Sequence, residues 1–277
     1  MTATADIVDI WVNLITDEGA KEFLGQEQFA NIPGYLGSSS TDGIGTDAMI
    51  ALMDELGVAT GILCTGMDRT ADQALEVADA YPGRFLVAVG LTSPERPTRS
   101  ARRIRTLAQH PRFSMVRIMP LANQVPITDP RHYPAMSVCE ELGIPMGINV
   151  GVPGPRVRSR VQHPELLEDV LIDFPDLVVI GAHMGHPYEE LLMNYMRKWP
   201  NLYHSCTAYA PQYMDPGLVK FMNSSTYRGR VLWGSDEPWF PMRRSLAEAR
   251  ALPLDDDAMA QFLGGTARRL LDRTVVG

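Results

Sequence analysis

The sequence has 277 residues and a formal net charge of −8, with 45% hydrophobic and 21% charged residues. A chain of this size and composition can bury a large hydrophobic core, which excludes a disordered, collagen-like or disulfide-stapled protein. The acidic balance also argues against nucleic acid or an anionic membrane as the main partner, because both bind basic surfaces.

Eight short apolar runs alternate with amphipathic segments along the chain. They lack the alternation of a half-exposed strand, as expected for strands that are covered on both faces. The predicted strands are Ile7–Trp11, Gly61–Cys64, Phe85–Leu91, Met115–Met119, Met146–Val150, Leu177–Ala182, Leu202–Cys206 and Val231–Gly234.

Segments with helical periodicity follow these strands, and several end at a glycine, such as Gly57 and Gly143. The predicted helices are Asp47–Leu56, Ala71–Tyr81, Thr98–Gln109, Tyr133–Leu142, Pro164–Asp173, Tyr188–Lys198, Pro216–Asn223 and Ser245–Ala251, with a C-terminal cap at Asp255–Leu263 and Thr266–Leu271. Strands that alternate with helices in this way predict an α/β protein, a (β/α)8 TIM barrel formed by a single domain over residues 1–277.

Two connections are too long to be simple turns. One covers residues 14–46 after the first strand, and the other covers residues 152–163 after the fifth. Long loops that follow barrel strands lie at the C-terminal face, where substrates bind. The second loop carries Arg156, Arg158 and Arg160, and we predict Arg156 and Arg158 as anion-binding residues, with a solvated loop as the alternative.

Polar and aromatic side chains stand at the predicted carboxyl ends of the strands, where a barrel holds its active site. Residues two apart on one strand share a face, so Trp11 and Asn13 point in the same direction. Arg117 at such a position is either a carboxylate clamp or part of a structural ion pair. The candidate site residues are Trp11, Asn13, Arg117, Asn149, His183, His204, Cys206 and Asp236.

Six short motifs occur in a fixed order along the chain. They are Val-Arg-Ile-Met-Pro at 116–120, Glu-Leu-Gly-Ile-Pro-Met at 141–146, Ala-His-Met-Gly-His-Pro-Tyr at 182–188, Pro-Asn-Leu-Tyr-His-Ser at 200–205, Gly-Ser-Asp-Glu-Pro at 234–238 and Gly-Gly-Thr-Ala-Arg-Arg-Leu at 264–270. With these motifs the chain resembles the amidohydrolase-related (amidohydrolase 2) superfamily, in particular its aminocarboxymuconate-semialdehyde decarboxylase-like group, over about residues 6–272. The resemblance implies a barrel of the metal-dependent hydrolase type and a homodimer.

The sequence departs from that family at its metal ligands. The family opens with Asp-x-His-x-His, whose histidines bind a divalent metal such as zinc, but here Trp11 and Asn13 take those places. Asn149 replaces a further histidine, while His183 and Asp236 remain. An indole is no metal ligand and a carboxamide is a poor one. We therefore expect a site without metal or other cofactor, in which only Asp236 and His183 would serve as ligands if a metal were retained.

The retained residues suggest a hydrolase that acts on a small carbonyl- or carboxylate-bearing substrate, such as an activated ester, a lactone or a β-dicarbonyl compound. Asp236 or His183 would deprotonate water, while Arg117, Asn13 and Asn149 would stabilise the oxyanion.

Two alternatives stay open beside the hydrolase. In a decarboxylase, His183 would protonate the carbon that loses CO₂ and Arg117 would hold the substrate. A catalytically dead barrel would serve only as a binding protein. Trp11 either forms a wall of the pocket or belongs to the core. In each case we expect a small, anionic molecule as the partner.

The sequence also carries information on the cell compartment. The cysteines, Cys64, Cys139 and Cys206, are widely spaced and form no CxxC motif, which is typical of a reducing compartment. Residues 1–9 lack the basic start and apolar run of a signal peptide, and no apolar run reaches the ~18–20 residues of a membrane span. We therefore expect a cytoplasmic protein.

Overall fold

A computed structural model of the protein describes residues 6–36, 42–91 and 94–271. In these ranges eight strands form one sheet, and each strand pairs in parallel with the next along the chain. They are β1 (Ile7–Val12), β2 (Val58–Gly66), β3 (Phe85–Gly90), β4 (Phe113–Ile118), β5 (Met146–Asn149), β6 (Val179–Ala182), β7 (Leu202–Ser205) and β8 (Val231–Leu232).

The sheet closes on itself where the end of β1 meets the segment that follows β8. Val12 forms a parallel bridge with Glu237. The amide of Asn13 donates to the carbonyl of Glu237 at 2.9 Å, and the amide of Asp236 donates to the carbonyl of Trp11 at 2.9 Å. This closure confirms the predicted (β/α)8 TIM barrel.

Helices cover the outside of the barrel and account for most of the connections. They are α1 (Asp17–Gly25), α2 (Ile32–Leu36), α3 (Thr46–Leu56), α4 (Arg69–Ala80), α5 (Pro97–Leu107), α6 (Pro120–Asn123), α7 (Tyr133–Glu141), α8 (Leu167–Asp173), α9 (Glu189–Lys198), α10 (Pro216–Met222), α11 (Met242–Arg250), α12 (Asp256–Ala260) and α13 (Thr266–Leu271). None of the helices in the described ranges is both long enough and apolar enough to cross a membrane.

The strands are buried on both faces, as the continuous apolar runs predicted. A large core between strands and helices includes Phe85, Phe113 and Ile148. A second, smaller cluster takes side chains from most of the strands and fills the barrel, with Ile10, Ile62, Ala88, Met115, Ile180 and Leu232 among its members. Because this interior is packed, a ligand site is left only at an end of the barrel.

The structure corrects the prediction for residues 14–46, where we expected a loop. The described part of this segment contains α1 and α2. Thr16 caps α1, because its hydroxyl accepts a hydrogen bond from the amide of Gly19 at 3.1 Å. Residues 37–41 of the predicted loop lie outside the described residues, as do the ends of the predicted domain, whose bounds stay a prediction.

Two predicted helices are also less regular than expected. The segment that we predicted as Pro164–Asp173 begins with a 3₁₀ turn at Pro164–Leu166 before α8. At the C-terminus, a π-helical turn at Gln261–Gly265 joins α12 to α13.

Candidate active site

A cavity of about 480 Å³ opens at the C-terminal end of the barrel. Most of its walls are apolar, and its polar groups come from the ends of several strands. Six of the predicted site residues line it, namely Trp11, Asn13, Arg117, Asn149, His183 and Asp236. The structure therefore brings these side chains together, while their roles stay predictions.

Arg117 is a buried cation in this cavity. Its side chain comes from β4, and the residue is only 4% exposed. Its terminal nitrogens make long contacts, 3.5 Å to the carbonyl of Thr65 and 3.9 Å to Sδ of Met119. Its Nε has no partner, and none of the described carboxylates forms an ion pair with it. Charged groups this deeply buried are normally paired, so a guanidinium without a carboxylate partner among the described residues is unusual.

Trp11 connects Arg117 to His183. The guanidinium carbon of Arg117 lies 4.2 Å from the centroid of the Trp11 ring, a cation–π contact. The ring of Trp11 meets the imidazole of His183 edge-on, with 4.5 Å between the centroids. Trp11 is 3% exposed, so its ring fixes both neighbours through packing.

His183 is held by Thr207. The threonine hydroxyl accepts a hydrogen bond from the His183 amide at 3.2 Å, and it lies 2.9 Å from Nδ1 of the same residue. The hydroxyl can donate to Nδ1 or accept from it, so the contact fixes the orientation of the ring, and in the tautomer that accepts from Thr207 the ring proton lies on Nε2. Burial, and next the charge of Arg117, lower the pKa of His183 to about 3, so the imidazole is neutral at neutral pH.

The pKa of Asp236 shifts in the opposite direction. Burial raises the pKa of its carboxyl to about 7, although a hydrogen bond from Asn13 and the charge of Arg117 act in the other direction. Nδ2 of Asn13 donates to Oδ1 of Asp236 at 2.9 Å and to the carbonyl of Glu237 at 3.0 Å. Asp236 can therefore exchange a proton near neutral pH, which a general acid or base must do.

The backbone at both candidate catalytic residues is strained. His183 has φ 69° and Asp236 has φ 82°, in the left-handed region that side chains other than glycine seldom adopt. Such conformations persist where the surrounding structure enforces them, and they cluster at functional sites. His183 directly follows β6, Asp236 lies four residues after the end of β8, and both line the cavity.

The sequence alone did not assign roles to Asp9 and Thr207. Asp9 is fully buried and accepts hydrogen bonds from the amide of Trp11 at 3.0 Å, the amide of Ser235 at 2.9 Å and the hydroxyl of Ser235 at 2.5 Å. It thereby joins β1 to the segment that carries Asp236. Burial raises the pKa of Asp9 to about 7. An aspartate inside an otherwise apolar strand was the signal that could have found it.

The structure does not bring Arg156 and Arg158 to the cavity. Both are exposed and neither lines it, and the same holds for Arg160. The amide of Arg156 instead donates to the carbonyl of Gln28 at 2.9 Å, which ties this loop to the segment after α1. Their assignment as substrate-binding residues stays a prediction.

The strand β7 candidates also lie outside the lining. His204 and Cys206 are fully buried, and neither is part of the cavity wall. Burial raises the pKa of the Cys206 thiol to about 12, so it has no thiolate character at neutral pH.

The sequence profile of the amidohydrolase family matches residues 8–273. The chain belongs to the amidohydrolase family. The resemblance inferred from the sequence motifs is thus confirmed at the level of the family. No curated protein matches the sequence.

Several solved structures are similar in fold to this amidohydrolase. An uncharacterised TIM-barrel protein from Bordetella bronchiseptica is 25% identical, with a TM-score of 0.77, over 98% of this chain and 99% of that one. A 5-carboxyvanillate decarboxylase from Novosphingobium aromaticivorans is 16% identical, with a TM-score of 0.73, over 96% and 95% of the two chains. A 2,6-dihydroxybenzoate decarboxylase from Rhizobium is 15% identical, with a TM-score of 0.73, over 98% and 99%.

The expectation that no cofactor is used needs correction. The 5-carboxyvanillate decarboxylase of similar fold was solved in complex with manganese and 4-hydroxy-3-methoxy-5-nitrobenzoic acid, so metal cofactors do occur among barrels of this kind. In the described part of this amidohydrolase, no group of three or more His, Cys, Asp or Glu side chains is placed to hold a metal ion. The carboxamides and the indole beside His183 and Asp236 do not fit the preferences of a transition metal, and we assign no reaction step to one.

Proposed function

We propose that this amidohydrolase-family enzyme is a carboxy-lyase that removes CO₂ from a small carboxylic acid. One observation carries the proposal: the unpaired guanidinium of Arg117 is buried in a largely apolar cavity that also contains Asp236. Such a cation binds an anionic substrate through charge-assisted hydrogen bonds. The similarity in fold to decarboxylases supports the same reaction class.

The electrostatics of the cavity favour an acid role for Asp236. An anion bound at Arg117 adds negative charge near this carboxyl, and negative charge favours its protonated form. In that form Asp236 can donate a proton to carbon. A hydrolase would need the ionised form to take a proton from water, which the same anion disfavours.

The proposed decarboxylation conserves charge at each step. The bond between the substrate carbon and its carboxylate breaks, CO₂ leaves, and the electron pair moves onto the adjacent carbonyl or ring system. Arg117 stabilises the oxygen on which that charge accumulates. Asp236 then protonates the carbon and is reprotonated from solvent.

This assignment revises the role of His183 within the decarboxylase hypothesis. The sequence suggested that His183 protonates the carbon, but an imidazole whose pKa is lowered to about 3 carries no proton to spare at neutral pH. With Thr207 on Nδ1, Nε2 instead donates a hydrogen bond into the cavity and orients the substrate oxygen.

Hydrolysis is the second candidate, because the hydrogen bond from Asn13 stabilises the ionised form of Asp236. Above pH 7 that carboxylate would activate water. Decarboxylation and hydrolysis introduce different isotopes from the solvent into their products. Analysis of the labelled products therefore distinguishes the two reactions.

The test screens small carboxylic acids against the full-length protein, with and without added Mn²⁺, for release of CO₂. In D₂O the product should carry one deuterium at the carbon that lost CO₂. In H₂¹⁸O it should carry no new oxygen label, whereas a labelled carboxylate or alcohol product would identify hydrolysis.

Variants connect this activity to the site. Arg117→Met and Asp236→Asn should each abolish most of it, while Arg250→Met, an exposed arginine on α11 outside the cavity, serves as the matched control. Full activity in Arg117→Met would refute the proposal.

A further inference from the structure

A second cavity lies beside helix α5 and is lined by arginines. Its volume is about 370 Å³. We call it the arginine cavity; its lining residues are Met67, Asp68, Arg96, Arg99, Ser100, Arg102, Arg103 and Thr106. Four arginines around one concave surface are unexpected in a chain with a net charge of −8.

Three of these arginines have no counter-charge. The side chains of Arg96, Arg99 and Arg102 form no hydrogen bond or ion pair with any residue in the described ranges. Their neighbours on the same helix are paired: Arg103 binds Asp72 at 2.5 Å, and Arg105 binds Glu141 at 2.6 Å. Three of the four arginines that line the cavity are thus unpaired, and the fourth, Arg103, is paired with Asp72.

The arrangement follows from helix α5. Arg99, Arg102 and Arg103 stand at i, i+3 and i+4, so they share one face of the helix. Arg96 stands at the N-cap position, where no side chain caps the helix. Like charges at these spacings repel one another, and an anion bound among them would remove that repulsion.

The acidic groups nearby are already engaged. Asp68 accepts hydrogen bonds from the amide and the hydroxyl of Thr70, at 3.3 and 3.2 Å, and so caps helix α4. Asp72 pairs with Arg103. The lining contains four arginines and one acidic residue, Asp68, so it carries a net positive charge.

The arginine cavity adjoins the catalytic cavity along β2. Gly66, the last residue of this strand, lines the catalytic cavity, and the next residue, Met67, lines the arginine cavity. Met67 also accepts a hydrogen bond from Nε of Arg103 at 3.2 Å through its carbonyl. The linings of the two cavities are therefore adjacent in the chain at the end of β2.

We propose that the arginine cavity binds the diphosphate group of a small molecule. Its volume lies in the range of small-ligand sites, and several guanidinium forks can engage several phosphate oxygens at once. The site is independent of the reaction proposed above, since none of its residues lines the catalytic cavity.

Calorimetric titration of the full-length protein with inorganic pyrophosphate tests the site. We expect one equivalent to bind, and the double variant Arg99→Gln/Arg102→Gln to weaken binding about 10-fold or more through the loss of charge-assisted contacts. The matched control Arg197→Gln/Arg250→Gln removes the same charge from exposed positions on α9 and α11 that line neither cavity, and it should change the affinity less than about 2-fold. Thermal melts check that the variants remain folded.

Further ligands identify the source of the diphosphate. ADP that binds at least as tightly as pyrophosphate indicates a diphosphate ester, and weaker binding of ADP indicates the free inorganic anion. Citrate that binds as tightly as pyrophosphate would refute recognition of phosphate. No measurable binding of pyrophosphate at about 50 mM salt, or an equal loss of affinity in the control variant, would refute the site itself.

Discussion

Replacement of Arg117 by methionine separates the functional role of this residue from its structural cost. The substitution keeps a long apolar side chain in a buried position but removes the guanidinium. Among the described residues, that guanidinium has only the long polar contacts to Thr65 and Met119 and the stacking contact with Trp11. We therefore expect activity to fall while stability rises.

The expected magnitudes follow from these contacts. Hydrogen bonds that involve a charged group contribute about 1.5–3 kcal/mol, so kcat/KM should fall about 10- to 150-fold. Removal of a buried donor without a partner should raise the free energy of unfolding by about 1–3 kcal/mol. Loss of the cation–π contact with Trp11 should lower it by about 0.5–2 kcal/mol. The net gain of about 1 kcal/mol corresponds to a rise of about 2 °C in Tm for a chain of this size.

The variant also changes the titration of Asp236, because the charge of Arg117 lowers the pKa of that carboxyl. Without the charge, the pKa of Asp236 moves up, and the residual activity should persist to higher pH than in the parent protein. This readout is independent of substrate affinity.

Three measurements therefore test the reasoning on Arg117. They are kcat/KM on the acid found by the screen, the thermal midpoint with and without benzoate as a probe carboxylate, and the pH profile. Benzoate should stabilise the parent protein and not the variant. If Arg117→Met melted at a lower temperature and kept its kcat/KM, Arg117 would be a structural residue and the anion site would be refuted.

Further variants test the neighbouring residues. The contribution of Asp236 to the unfolding free energy should decrease as pH rises from about 4 to 7, because its raised pKa makes this carboxyl bind more protons in the folded state than in the unfolded state; in chemical denaturation the difference in unfolding free energy between the parent protein and Asp236→Asn should therefore decrease over this range, and a constant difference would contradict the shift. Trp11→Phe should keep kcat/KM within about 10-fold of the parent value because an aromatic ring remains next to Arg117. Trp11→Ala should lower kcat/KM as much as Arg117→Met does. Thr207→Val should lower kcat more than it changes KM by releasing the His183 ring, and Thr207→Ser should restore kcat; equal effects of both variants would exclude the hydroxyl as the cause.

The fold could be predicted from the sequence because each strand is a continuous apolar run, and all eight runs correspond to strands. The helices α1 and α2 could not be predicted, since they are short and depend on tertiary contacts. Phe23 of α1, for example, packs at 4.3 Å from Phe29 and 4.7 Å from Trp239 between ring centroids. The contact with Trp239 joins residues far apart in the chain, and no local pattern encodes it.

Part of the site could be predicted for a similar reason. The carboxyl ends of barrel strands converge, so Trp11, Arg117 and Asp236 reach one cavity whatever the details of packing. The direction of a loop side chain carries no such constraint, and Arg156 accordingly faces away from the cavity. The role of Asp9 could not be predicted, because it depends on hydrogen bonds to a segment near the other end of the chain.

Substrate binding and proton donation are coupled in this site, and the coupling makes a final prediction. Arg117 lowers the pKa of Asp236 in the free protein, but a bound anion neutralises that effect. The pKa of Asp236 must therefore be higher in the complex than in the free enzyme, and by linkage the protonated enzyme binds the anion more tightly. The profile of kcat reports the complex and that of kcat/KM the free enzyme, so the alkaline limb of kcat should lie at higher pH. Measured on the same acid, coincident limbs would show that the bound anion and Asp236 do not interact, and a kcat that rises with pH would show that Asp236 acts as a base.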